Sequence, residues 1–106
     1  MLTVNIYYKG DGAIGFMNEM ESSGIADAIR VKSGCVRYDY FIPANDDKTV
    51  LLIDSWDDQK ALDEHHRSDL MPKIAKLREK YDVHMTVERY VSENGSNNDD
   101  SKYIRK

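Results

Sequence analysis

Thr49-Val50-Leu51-Leu52-Ile53-Asp54-Ser55-Trp56 decides the architecture, because the four residues at its heart are all apolar. Side chains of a strand alternate between the two faces of its sheet, so an unbroken apolar run implies that both faces are covered. Working outward, Cys35 to Ile42 reads as a second strand, joined to the first by the polar turn Pro43-Ala44-Asn45-Asp46-Asp47-Lys48. On the other side Asp57 and Asp58 are N-cap candidates for a short helix through His66, and Ser68 or Asp69 can cap another. Pro72 is tolerated in a first turn but not mid-helix, which favours two helices over one. In the second, Leu70, Ile74, Leu77 and Tyr81 form a core stripe.

The flanks complete the pattern. Leu2 to Tyr8 is a strand with Leu2, Val4, Ile6 and Tyr8 on one face and Thr3, Asn5 and Tyr7 on the other. A helical stretch carrying Phe16, Met17 and Met20, then Ile25, Ala28 and Ile29 out of phase, is expected to bend at Ser22-Ser23-Gly24 and to stop at Lys32-Ser33-Gly34. Val83 to Val91 is the last strand. Strand, helix, strand, strand, helices, strand is the split βαβ order of an α+β, ferredoxin-like domain, here spanning residues 1 to 91. Its helices cover one face of the sheet, so the other needs a second sheet, most simply that of a homodimer. Residues 92 to 106 read as a polar tail, mobile or docked on the partner subunit through Tyr103-Ile104.

Composition narrows the function. The 106 residues carry a formal net charge of −4, without the basic footprint that nucleic acid or an anionic membrane selects. No signal-peptide pattern opens the chain and no apolar run approaches the roughly 20 residues of a membrane span, so a cytoplasmic location is expected. The single cysteine, Cys35, has no disulfide or C-x-x-C partner and reads as a small core residue. Dinucleotide, P-loop and H-E-x-x-H motifs are missing from the sequence.

Met1-Leu2-Thr3-Val4, Gly34 to Pro43 (GCVRYDYFIP) and Val50 to Met71 (VLLIDSWDDQKALDEHHRSDLM) together resemble the antibiotic-biosynthesis-monooxygenase family. That resemblance implies a dimeric α+β barrel, two sheets face to face with helices outside, and a pocket in each subunit between sheet and helices. Its members include quinol monooxygenases, cofactor-free oxygenases of polyketide aromatics, haem-degrading enzymes and a phosphosugar-ketone isomerase. Many relatives continue Ser-x-His after the first histidine, where this chain has Ser68-Asp69-Leu70. A second pocket histidine is then absent or supplied by His65.

Four polar or aromatic positions and two histidines are candidate site residues. His66 lies one turn beyond Leu62, on the face expected to point inward, and a half-buried imidazole there is a candidate general base. His65, about 100° round the helix, is the second choice and a substrate-binding candidate. Trp56, Tyr38 and Tyr40 are read as walls for a planar aromatic ligand, against the alternative of plain core packing. Asn5, an amide in an apolar strand, needs hydrogen-bond partners and is the candidate oxyanion partner. The expected activity is monooxygenation of a small quinol-like or polycyclic aromatic without a cofactor and without a metal ligand set. Alternatives are haem degradation, since Trp56 and His66 are ten apart as in haem-degrading relatives, ketone isomerisation, or a non-catalytic ligand-binding dimer.

Overall fold

The computed structural model describes residues 1–93 and 98–105. Strand β1 (Leu2–Lys9) buries alternate residues as its sequence dictates, with Leu2, Val4, Ile6 and Tyr8 inside. Helix α1 (Ala13–Ser22) ends where expected, and Gly24, at φ 83°, turns the chain through the left-handed region into α2 (Ile25–Arg30). Strand β2 (Cys35–Phe41) and β3 (Thr49–Trp56) form a hairpin, with a register irregularity between Cys35 and Arg37. Asp58 caps α3 (Gln59–His66), its side chain accepting from the Ala61 N–H at 2.9 Å. Pro72 falls in the first turn of α4 (Leu70–Lys80), and β4 (His84–Val91) closes the order.

The sheet runs β2-β3-β1-β4, antiparallel throughout. The register sorts the faces. Tyr38 and Tyr40, Leu52, Asp54 and Trp56, and Leu2 to Tyr8 in steps of two share the helix-covered face. Arg37, Asp39, Phe41, Leu51, Ile53, Ser55, Thr3, Asn5 and Tyr7 share the other. The core between sheet and helices holds Trp56, Tyr8, Phe16, Met20, Ile29, Leu52, Leu62, Ile74 and Val50 fully buried, each side chain contributing about 1.5 to 3 kcal/mol. Leu51 and Ile53 on the open face are only half-buried, and the described residues supply no second layer over them.

Strand β4 is exposed along its whole length. Its positions opposite Tyr8, Ile6, Val4 and Leu2 are Met85, Val87, Arg89 and Val91, so an apolar strip interrupted by Arg89 continues past the edge of the helix layer. Asn98–Tyr103 forms a 3-10 helix in which Tyr103 is 85% exposed, and Ile104 beyond it is 57% exposed. The expected tail also includes residues 94–97 and 106, which lie outside the described residues.

Candidate active site

Gly34 begins the site. At φ 84° it lets the turn after α2 approach α3 so closely that a Cβ there would stand 2.5 Å from the Ala61 Cβ. That approach brings Lys32 and Ser33 of the turn against Ala61, Glu64 and His65 of α3, with Trp56 from the end of β3 as the floor. These six residues enclose a cleft of about 160 Å³. Two wider hollows lie beside the N-terminal end of α3, one of about 210 Å³ over Asp57, Asp58 and Lys60 and one of about 270 Å³ toward Leu2, Arg89 and Val91. Neither contains a histidine or an aromatic ring, and the smaller cleft brings both together.

His65 is 4% exposed and lies nearly flat on the Trp56 indole, with centroids 4.8 Å apart and planes at 20°. Its Nδ1 is buried without a hydrogen-bond partner, as is the Ser68 hydroxyl one turn on. Burial pushes the imidazole down to about 4, with His66, Lys32 and Arg78 adding repulsion, so the ring is neutral at pH 7. The Tyr38 ring meets His65 edge-on at 6.5 Å, and the Tyr38 and Tyr40 hydroxyls are 3.4 Å apart. Burial raises both phenols, Tyr38 well above its ordinary value. Behind them Arg78 of α4 donates to the Tyr8 hydroxyl at 3.0 Å.

Two expectations need correction. The ring expected to point inward at His66 does not: His66 is exposed, and His65 takes the interior place. The buried face of α3 is centred between Ala61 and Leu62, because Ala61 packs against Gly34, and His65 falls at that centre while His66 is about 90° away from it. Asn5 is the second correction. It pairs with Ile53 and Glu88 on the open face of the sheet, with the sheet itself between its amide and the Trp56–His65 stack. Its Oδ1 is nonetheless buried and without a partner, so the unmet hydrogen-bonding capacity expected of it is present on the wrong side for this cleft.

Trp56 and His65 line the cleft, Tyr38 backs His65 from the interior, and Tyr40 stands behind Tyr38. Sequence reasoning missed Lys32, Ser33 and Glu64 as lining residues, and it missed Asp54. Lys32 is legible only as a cation ending a helix, and its place at the cleft comes from the long-range approach of Gly34 to Ala61. Asp54 is 4% exposed, accepts the Trp56 indole N–H at 2.6 Å, and is held up at about 6 by burial, with the indole and Arg78 opposing. Among the described residues no group of three or more His, Cys, Asp or Glu is placed to hold a metal ion, and no helix is long and apolar enough to cross a membrane.

A family model described as antibiotic biosynthesis monooxygenase matches residues 19–77, a span that contains the cleft. No curated protein sequence matches the chain. Among solved structures, SnoaB from Streptomyces nogalater, a cofactor-independent oxygenase, is 14% identical with a TM-score of 0.74 over 91% of this chain and 96% of its own. A Pseudomonas aeruginosa protein is 18% identical at 0.73, covering 87% of this chain and 93% of its own. A conserved protein from Methanosarcina mazei is 23% identical at 0.66, covering 88% and 95%. At these identities the likeness is one of fold.

Proposed function

The chain belongs to the antibiotic biosynthesis monooxygenase family, and from that premise we propose that it oxygenates a single-ring, quinol-like aromatic without a cofactor, binding the ring in the cleft that Trp56 and His65 line together with Lys32, Ser33, Ala61 and Glu64. The observation that carries this reading is the buried imidazole stacked on an indole at the wall of the cleft, neutral and with a ring nitrogen unpaired. Size supports one ring over several, since a cavity of about 150 Å³ is enough to take benzene and this cleft is about 160 Å³.

In the proposed reaction His65 accepts a proton from a ring hydroxyl, and the Lys32 ammonium at the cleft offsets the charge on the resulting oxyanion. Deprotonation makes the ring electron-rich enough to pass one electron to O₂. The radical pair recombines on carbon, and loss of water leaves a hydroxyquinone: quinol plus O₂ gives hydroxyquinone plus H₂O. A base held down at about 4 is weak in the empty site, but the oxyanion formed beside it stabilises the imidazolium, so the proton moves as part of an ion pair in a dry pocket. His65 therefore replaces His66 as the proposed base, and Lys32 replaces Asn5 as the oxyanion partner.

We extend the reading to a homodimer packed through the open face, where Leu51 and Ile53 are only half-buried and the Asn5 Oδ1 has no hydrogen-bond partner. The haem reading fits less well. Pockets for drug-sized ligands ordinarily hold about 300 to 1,000 Å³, whereas this cleft is about 160 Å³, and His66, the histidine on which that reading rested, is exposed and does not line it. Oxygen-electrode assays with hydroquinone and alkylated 1,4-benzenediols test the proposal. Saturable O₂ uptake above autoxidation, lost in His65→Ala by about 10²- to 10⁴-fold, is the expected result. Uptake unchanged by that substitution, or a Soret band on adding haemin with no quinol turnover, refutes it.

A further inference from the structure

Trp56 is the only tryptophan of the chain, and both of its sides are committed. Its N–H points at Asp54 Oδ1, two residues back on the same face of β3, at 2.6 Å in the buried interior. Its ring carries the His65 imidazole. One carboxyl group therefore orients an indole, and the indole orients the imidazole at the cleft. A carboxylate in this interior is expensive as a purely structural device, because an apolar residue of similar shape avoids the desolvation cost. Costly buried charges of this kind concentrate where a site uses them.

We propose that Asp54 is a positioning residue for the cleft: its ionised carboxylate fixes the Trp56 indole through the ring N–H, and its protonation loosens that hold and with it the Trp56–His65 stack. The inference rests on the proposed function only in treating the stack as a substrate wall. A charge-assisted hydrogen bond is about twice as strong as a neutral one, so the two protonation states of Asp54 hold the indole differently.

The titratable and charged groups around Asp54 come from several elements. Tyr8 stands on β1, Tyr38 and Cys35 on β2, and Arg78 on α4, while His65 of α3 lies beyond the indole. The three phenol and thiol groups are raised above their ordinary values and His65 is held down at about 4. Arg78 keeps its charge throughout. Between pH 5 and 8, Asp54, at about 6, is the member of this set that changes charge.

The test needs no ligand, so it is independent of whether hydroquinone is turned over. The indole N–H of the full-length wild-type protein gives one ¹H–¹⁵N resonance from a single tryptophan, and Trp56 fluorescence gives a second readout. The expected result is a shift of both between pH 5 and 8 with a midpoint near 6, absent in Asp54→Asn and retained in His65→Gln and His66→Gln. A flat wild-type profile overturns the proposal, and that arm stands even if a variant fails to fold. A midpoint that persists in Asp54→Asn, or that disappears in His66→Gln, assigns the signal to another group and overturns it as well.

Discussion

Replacing Asp54 by Asn should make the protein more stable at pH 8 and lower its stability by up to about 1 kcal/mol at pH 4.5. The carboxyl sits at about 6 in the folded chain against an ordinary 3.8, a preference of the folded state for the protonated form. That difference corresponds to about 3 kcal/mol. Its sign follows from the direction: the contribution is fully present below 3.8 and is lost as pH rises through about 6. At pH 8 the wild type therefore carries the cost of a buried charge, and the amide removes it. The amide keeps an oxygen for the Trp56 N–H but makes a weaker bond, and its own N–H groups need partners, together costing about 1 to 2 kcal/mol. The net gain at pH 8 is about 1 to 2 kcal/mol. His65 acts in the opposite sense: held down at about 4 from 6.5, it contributes stability above 6.5 that is lost as pH falls through 4. The two slopes oppose one another between pH 4 and 6, so wild-type stability is expected to vary little there, whereas Asp54→Asn exposes the histidine slope and gains stability as pH rises. Urea unfolding at fixed protein concentration, at pH 4.5, 6 and 8, measures both. An Asp54→Asn protein less stable than wild type at pH 8, with an unaltered pH slope, would refute the reasoning.

Gly34→Ala should cost about 2 kcal/mol or more and open the cleft, since φ is 84° and the new methyl group collides with Ala61; thermal melting together with loss of the Trp56 fluorescence environment reads it. His65→Ala should lower stability by about 2 to 4 kcal/mol as well as removing turnover, because it leaves a hole against Trp56, while His66→Ala should stay within about 0.5 kcal/mol of wild type. Equal effects of the two substitutions in chemical denaturation would contradict the burial assigned to each ring. Ile53→Glu on the open face should convert the proposed dimer to monomer in sedimentation velocity, and a wild type already monomeric at micromolar concentration would count against that interface.

Much of the fold is written in local pattern. Alternation in Leu2 to Tyr8, the apolar run in Thr49 to Trp56, the phase slip at Ser23-Gly24 and the placing of Pro72 are each short-range signals, and each corresponds to an element or a break in the structure. The site is less legible because it depends on relations between elements. His65 and His66 flank Leu62 almost symmetrically, and which of them turns inward is decided by Ala61 fitting against Gly34, a contact across 27 residues. Asn5 is correctly placed opposite Leu2, Val4 and Ile6 by alternation alone, but nothing local reveals that Trp56 pairs with Leu2 and so faces away from Asn5. Asp54 carries no local signal of its role, and only that same register puts it beneath the helices.

The strand order has a kinetic consequence. β1 lies between β3 and β4, so the middle of the sheet is made from the segment synthesised before either of its partners. Only the β2–β3 hairpin joins neighbours in sequence; Leu2 must wait for Trp56 on one side and for Val91 on the other. Closing loops of that length costs entropy before any contact rewards it, which slows folding. During synthesis at about 5 to 20 residues per second, the apolar edge of β1 stays unpaired for several seconds. The interval between completion of β3 and completion of β4 is therefore the stage at which this chain most needs to be kept from other copies of itself.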